Sequence, residues 1–217
     1  MKTAAFTKSY GKKTVLDLPA LEIPAGKITA VIGANGSGKS TLAKVLAGIE
    51  LSDSKQCPAA EIRIGYLPQK SYAFRMSTAR NIALNGVDAA KQKKLMAALQ
   101  LEPLARQRAK KLSGGEASKM ALARLLMGSY DLRILDEPTA SMDMESTLMA
   151  EQLIAETCHE TGCAVLLITH SIQQARRLAD SALFLHQGKA LEYGPADIVL
   201  NTPETDEARR FLEFYGL

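Results

Sequence analysis

GANGSGKS, the segment from Gly33 to Ser40, decides the fold of this chain because it matches the whole pattern G-x-x-x-x-G-K-[ST]. It follows an apolar run, Lys27–Ile32, that is typical of a buried strand, and it opens a helical pattern that extends to Gly48. Glycines in this context let backbone N–H groups turn toward phosphates, and the start of the helix adds its positive dipole end. A glycine-rich turn with a stray lysine is the alternative, but strand, loop and helix in this order favour a phosphate-binding loop. The predicted nucleotide-binding residues here are Gly33, Asn35, Gly36, Ser37, Gly38, Lys39, Ser40 and Thr41.

A second stretch, Leu132–Pro138, is an apolar strand that ends in two adjacent acids. Neighbouring side chains on a strand diverge, so Asp136 and Glu137 are predicted to do different work. Asp136 and the hydroxyl of Ser40 would hold Mg²⁺, Lys39 would reach the terminal phosphates, and Glu137 would polarise an attacking water. An acidic strand end without any function is common, but the presence of a phosphate-binding loop in the same chain argues against that alternative here.

Short apolar runs alternate with helical patterns along the rest of the chain, which predicts an α/β fold with a largely parallel, covered sheet. From Tyr72 to Met127 the pattern is helical and contains no good strand, so we expect an all-α insertion there. The further strand-like runs are Ile62–Leu67, Leu132–Leu135, Ala164–Thr169, Ala182–Leu185 and Ala190–Tyr193. The further helical candidates are Ala89–Gln100, Glu116–Gly128, Ser146–Thr161, Ile172–Ala179 and a short amphipathic tail, Arg209–Tyr215.

The composition is that of an ordinary globular domain. The chain has 217 residues, and 27 Lys and Arg against 23 Asp and Glu give a net charge of +4, which is too small to argue for nucleic acid. The longest apolar run, Cys163–Ile168, is far shorter than the roughly 18 residues of a membrane span, and we expect neither a span nor a secretory signal. Cys57, Cys158 and Cys163 fit no standard zinc spacing and are predicted to be plain thiols.

A third motif, LSGGE at Leu112–Glu116, begins 24 residues before Asp136. Ser113 and Glu116 form the pattern of a capping box ahead of an apolar helix, and Gly114 and Gly115 expose N–H groups at that helix start. A plain capped helix and a second anion site are both compatible with this segment. One chain does not need two γ-phosphate sites, but two copies facing each other could use both.

LSGGE resembles the LSGGQ signature of ATP-binding cassette (ABC) ATPases, and further segments match that family in the expected order. The resemblance covers the chain from about Thr3 to Tyr193. The sequence departs from the family at two places. The signature ends in Glu116 where the family has Gln, and Ser118-Lys119 stands where the family often has Gln-Arg. The remaining carried-over residues are Tyr10 (adenine stacking), Gln69 (Mg²⁺ and attacking water), Asp143 in the loop Ser141-Met142-Asp143 at the dimer interface, and His170 (γ-phosphate).

The resemblance implies a P-loop NTPase fold with a mainly parallel sheet, a small antiparallel β part and a helical subdomain. It implies one ATP-binding domain over residues 1–217, with an α/β body at 1–69 and 131–217 and a helical signature subdomain at 70–130. The implied catalytic residues are Glu137, His170, Gln69 and Lys39. The implied metal ligands are Ser40, Gln69 and Asp136. The implied nucleotide contacts are Tyr10, Gly33, Asn35, Gly36, Ser37, Gly38, Lys39, Ser40, Thr41, Ser113, Gly114, Gly115, Glu116 and Asp143.

The implied activity is ATP hydrolysis with Mg²⁺, which drives solute import through separate membrane subunits. The implied partners are a second copy or a paralogous ATPase, permease subunits and a solute-binding protein, at the cytoplasmic face of a bacterial membrane, with no nucleic acid. Tyr72, Phe74 and Met76 are either a permease-docking groove or core residues. Several segments look similar to those of oxyanion importers, in particular tungstate importers.

Rival classes share some of these motifs. A chromosome-maintenance ATPase needs a long coiled-coil insertion, but only 74 positions separate Lys39 from Ser113. A translation factor of the superfamily usually has two cassettes, a small-molecule P-loop kinase lacks the LSGGE segment, and a pure binding module would not need Glu137 and His170 together. A non-transport ABC ATPase acting on DNA or ribosomes remains the alternative.

Overall fold

The computed structural model of the protein describes residues 1–215 and contains two sheets. The larger sheet has six strands in the spatial order β4-β5-β6-β3-β7-β8, and all neighbours are parallel except β7 and β8. The smaller sheet is an antiparallel hairpin of β1 and β2. The strands are β1 Phe6–Tyr10, β2 Lys13–Leu18, β3 Ile28–Ile32, β4 Ile64–Leu67, β5 Leu132–Asp136, β6 Ala164–Ile168, β7 Ser181–His186 and β8 Lys189–Pro195.

Helices cover both faces of the large sheet, which is why β3, β5 and β6 are buried at every position. Three short 3₁₀ turns, at Ala83–Asn85, Glu102–Leu104 and Ala109–Lys111, connect the helices between β4 and β5. No helix among residues 1–215 is long and apolar enough to cross a membrane. The helices are α1 Lys39–Leu46, α2 Thr78–Ile82, α3 Ala89–Ala98, α4 Gly114–Met127, α5 Met144–Thr161, α6 Ile172–Leu178, α7 Ala196–Asn201 and α8 Asp206–Tyr215.

This architecture confirms the α/β prediction with its mainly parallel sheet and small antiparallel part. The predicted run Ile62–Leu67 begins two residues too early, because β4 begins at Ile64. The backbone N–H of Arg63 donates to the Asp131 carboxylate at 2.8 Å, so a side chain satisfies this donor before the β4–β5 ladder begins. Sequence periodicity did not reveal α2 and α7, because five and six residues are too few to show a helical repeat.

The segment between β4 and β5 folds around α4. Its buried side chains, including Met120 and Leu122, form an apolar cluster with residues of α2 and α3 and with the adjacent face of the sheet. Within this part of the described chain the structure has helices and turns, and its only β pairing is an isolated bridge from Ser77 to Arg108. The division into a body at 1–69 and 131–217 and a subdomain at 70–130 stays a prediction.

The parallel strands end at one edge of the sheet, and this edge carries the predicted chemistry. β3 leads into the loop at Gly33, β4 precedes Gln69, β5 ends in Asp136, and β6 precedes His170. Ligands of open α/β sheets bind at this carboxyl edge.

The turn between β7 and β8 supports the phosphate-binding loop from behind. Gly188 has a φ of +81°, its N–H donates to the carbonyl of Ser37 at 2.9 Å, and its carbonyl accepts from the N–H of Asp17 at 2.8 Å. A Cβ atom at this position would lie 2.2 Å from the carbonyl oxygen of Val15. The backbone of this turn therefore fits against β2 and the loop only if residue 188 is glycine.

We expect Gly188→Ala to lower the free energy of unfolding by about 3 kcal/mol, because it adds a backbone clash to an unfavourable φ. Gly11→Ala is the matched control, because Gly11 has a φ of +60° but its Cβ would meet no described atom within 4 Å. We expect about 1 kcal/mol for that variant. Urea unfolding measures both, and equal losses would contradict the packing account.

Candidate active site

The phosphate-binding loop borders a cavity of about 310 Å³ at the carboxyl edge of the sheet. Gly36, with a φ of +79°, lines its open side. Ser37 Oγ is buried and has no hydrogen-bond partner among the described residues, but Ser37 is not one of the residues that line the cavity. The residues that line the cavity are Val15, Asn35, Gly36, Gly38, Lys39, Ser40, Thr41, Gln69 and Glu137.

Lys39 is buried at the start of α1 and folds back over the loop. Its Nζ donates to the carbonyl oxygens of Gly33 at 2.6 Å and Ala34 at 2.9 Å. Burial lowers the pKa of Lys39, while the charges of Glu137 and Asp136 work in the opposite direction. A bound phosphate would supply this ammonium with a charged acceptor, so the loop fits an anionic group.

Asp136 lies at the end of β5 beside Ser40. The Ser40 hydroxyl is 3.4 Å from Asp136 Oδ1, and the Tyr66 hydroxyl is 3.4 Å from Oδ2. Burial raises the pKa of Asp136, and the charge of Glu137 adds to this effect. A carboxylate and a hydroxyl at one point are ligands that Mg²⁺ accepts, with the remaining positions filled by phosphate and water. The sequence did not reveal Tyr66, which faces Asp136 from the neighbouring strand.

Glu137 is held by side chains that follow two other strands. Gln69 Nε2 donates to Glu137 Oε2 at 2.7 Å, and His170 Nδ1 lies 3.3 Å from Oε1. The backbone of Glu137 has a φ of +50°, which is rare for a residue with a side chain, and its N–H donates to the carbonyl of Ile168 at 2.9 Å. The structure thus brings the predicted residues Gln69, Glu137 and His170 together, and the strained backbone is a feature of functional sites.

Tyr10 and the LSGGE segment do not line the cavity at the phosphate-binding loop. Tyr10 is half-exposed, its hydroxyl donates to the Glu50 carboxylate, and this hydrogen bond is the main cause of its raised pKa. Lys8 Nζ lies 5.1 Å from the centre of the Tyr10 ring. Neither Tyr10 nor any residue of 113–116 is among the described residues that line the 310 Å³ cavity. Adenine stacking by Tyr10 therefore stays a prediction.

The capping box at the start of α4 is confirmed. The N–H of Ser113 donates to Glu116 Oε2 at 2.7 Å, and the N–H of Glu116 donates to Ser113 Oγ at 3.3 Å. A Cβ atom at Gly115 would lie 3.0 Å from the carbonyl oxygen of Ser141, so α4 begins directly against the Ser141–Asp143 loop. Asp143 in turn caps α5 by accepting from the N–H of Ser146 at 2.7 Å, which lowers its pKa.

A buried polar network lies behind Glu137 and links α5 with α6. Gln174 Nε2 donates to Thr139 Oγ1 at 2.9 Å and to Glu151 Oε1 at 3.1 Å. Arg177 donates two hydrogen bonds of 2.7 Å to the buried Glu151 carboxylate. The network fixes the loop after Glu137 relative to the helix that follows His170. No sequence motif signals it, because the residues belong to separate elements.

The described chain offers few clustered side chains that could bind a metal ion. Residues 1–215 contain no group of three or more His, Cys, Asp and Glu side chains that could hold a metal ion. Cys158 is buried, and burial raises its pKa to about 11. A Mg²⁺ site on this chain would therefore rest on Ser40, Gln69 and Asp136 together with the phosphates of a bound nucleotide.

The sequence is similar to those of ATP-binding proteins of transport systems. A family model described as "ABC transporter" matches residues 16–140. The tungstate uptake system ATP-binding protein TupC of Peptoclostridium acidaminophilum is 38% identical over 200 residues, covering 85% of this chain and 94% of the relative. The zinc import ATP-binding protein ZnuC of Vibrio vulnificus is 34% identical over 201 residues, covering 89% of this chain and 76% of the relative.

Solved structures share the fold. The ATP-binding cassette MJ0796, solved as a dimer in a post-hydrolysis state bound to ADP and Pi, superimposes with a TM-score of 0.76 at 22% identity, covering 90% of this chain and 98% of that one. At this identity the likeness establishes the fold.

Proposed function

This chain belongs to the ABC transporter family and is an ATP-hydrolysing subunit, and from that premise we propose that it powers solute import through separate membrane subunits. The observation that carries the ATPase part of the proposal is the contact of Gln69 and His170 with the Glu137 carboxylate at the rim of the phosphate loop. The import part rests on the relatives that are named as ATP-binding proteins of uptake and import systems. An ATPase needs an oriented carboxylate next to the terminal phosphate, and this geometry supplies one.

The residues of the site divide the chemistry between them. Lys39 and the N–H groups of the loop bind the phosphates, and their positive charge offsets the negative charge that develops during transfer. Glu137 accepts a hydrogen bond from the attacking water, with its carboxylate oriented by Gln69 and His170. We propose that Mg²⁺ binds to Ser40, Gln69 and Asp136, where it would neutralise phosphate charge.

The separation of LSGGE from the phosphate loop supports a pair of chains. The described residues that line the nucleotide cavity of one chain do not include Ser113, Gly114, Gly115 or Glu116. These residues therefore do not complete the cavity of their own chain. A second copy, or a paralogous ATPase, placed head to tail would bring these N–H groups to the nucleotide of its partner. Asp143 would then lie at the interface, because its loop contacts the start of α4. MJ0796 is described as a dimer, which supports a pair of chains.

A permease surface is expected on the helical segment. The Tyr72 side chain is 61% exposed and that of Phe74 is 41% exposed, with ring centres 4.9 Å apart. Aromatic side chains this exposed favour the docking interpretation over the core interpretation, since they leave apolar area in water. Met76 is half-buried beside them. This surface would hold the chain at the cytoplasmic face of a bacterial membrane, in a complex that also uses a solute-binding protein.

The solute is proposed by analogy. TupC belongs by name to a tungstate uptake system, and it shares 38% of its aligned residues with this chain. An oxyanion such as tungstate is therefore the proposed solute, carried by the permease and the binding protein and not by the ATPase.

We expect Glu137→Gln and His170→Ala each to lower steady-state ATP turnover at least about 100-fold, because each removes part of the group that orients water. His159→Ala is the matched control, since His159 is an exposed residue of α5 away from the site, and it should retain turnover. A coupled phosphate-release assay measures all three variants. Near-normal turnover in both site variants would overturn the catalytic assignment.

We expect the chain to co-purify from membranes with an integral membrane protein, and Tyr72→Ala/Phe74→Ala to lose that partner while keeping ATP turnover. Phe214→Ala removes another exposed ring, 77% exposed on α8, and should keep the partner. Recovery of the parent chain in a stable complex with DNA or ribosomes would replace the transport proposal with the alternative.

A further inference from the structure

A second polar cavity, of about 360 Å³, lies at the amino ends of β4, β5 and β6, the opposite edge of the sheet from the phosphate loop. It is lined by residues that precede these strands and by residues of α3 and of the end of α5. Those that matter here are Arg63, Lys91, Tyr130, Arg133, Thr161 and Cys163.

Arg133 is the unusual member of this cavity. It is the second residue of β5, and its side chain is 1% exposed. Its Nε has no hydrogen-bond partner among the described residues. One terminal nitrogen makes only two contacts of 3.5 Å, to the carbonyl of Thr157 and the hydroxyl of Thr161. No carboxylate in the described chain forms an ion pair with this guanidinium. A buried charge with so few partners is costly.

The other charges around the cavity do not compensate Arg133. Lys91 lines it from α3, and its Nζ donates to the carbonyl of Met127 at 3.2 Å. Burial lowers the pKa of Lys91, and the charge of Arg133, which lines the same cavity, lowers it further, while the charges of Asp88 and Glu160 act in the opposite direction. Asp131 is already paired with Arg63 at 3.2 Å. Among the described side chains that line the cavity, three are cationic and one is a carboxylate, an excess of two positive charges, while Asp88 and Glu160 act on Lys91 from outside the lining.

We propose that this cavity binds a small divalent oxyanion, of which inorganic phosphate and sulfate are the simplest. Arg133 Nε is a donor without an acceptor among the described residues, Lys91 adds charge, and Tyr130 also lines the cavity. Because Lys91 belongs to α3 and Arg133 to β5, such an anion would join the helical segment to the sheet. The site is separate from the nucleotide cavity, so it does not depend on the proposed transport function.

A purely structural role for Arg133 makes a different prediction. The last turn of α5 exposes carbonyl groups, and a cation there stabilises the helix without any ligand. In that case phosphate would not bind, and Arg133→Met would change stability alone.

The test is equilibrium dialysis with radiolabelled inorganic phosphate at constant ionic strength, with chloride as the balancing anion. The phosphate loop also attracts phosphate, so every protein carries Lys39→Ala. We expect saturable binding of one phosphate per chain in that parent, and competition by sulfate. Arg133→Met should weaken binding at least about tenfold, because it removes a buried charged donor.

A second pair of variants, both on α3, keeps the test sound if Arg133→Met does not fold. Lys91→Met should weaken phosphate binding severalfold, while Lys93→Met, which removes the same charge from an exposed position on α3, should not. Absence of saturable binding in the Lys39→Ala parent would overturn the proposal. Equal affinities for the parent, Arg133→Met and Lys91→Met would also overturn it.

Discussion

The hydrogen bond from Gln69 to the Glu137 carboxylate, with His170 on the other side, is the interaction on which the site depends. Gln69 and His170 are 101 positions apart in the sequence, yet each lies within 3.3 Å of the Glu137 carboxylate. They meet because parallel strands end at one edge of the sheet, and each contributes the residues that follow it. The order of the strands therefore determines which side chains can act on a phosphate at the loop of β3.

One chain supplies only part of the site that we propose. The phosphate loop, the residues that we propose as Mg²⁺ ligands and the carboxylate lie together, whereas the capped start of α4 faces the Ser141–Asp143 loop. A helix start with two glycines and a satisfied capping box still has free N–H groups to offer an anion. A second chain is the simplest source of that anion, because its own phosphate loop carries the nucleotide.

Sequence patterns predicted the features that depend on residues close together in the chain. The loop at Gly33–Ser40, the two acids at the end of β5 and the capping box at Ser113 each follow from residue type and spacing within a few positions, and the structure has them in that form. Tyr66, Val15 and the network around Glu151 were not predictable, because their roles arise from neighbours distant in sequence. Arg133 is the clearest case. In the sequence it only interrupts an apolar strand, and its unpaired burial becomes visible when α5 is packed against β5.

The central claim is that ATP joins two copies of this chain. Light scattering during gel filtration of the Glu137→Gln variant tests it most directly, since slow hydrolysis preserves the bound ATP. The account predicts a mass near twice the 23.4 kDa of the chain with ATP and Mg²⁺, and the mass of one chain with ADP. A mass of one chain under both conditions would contradict it.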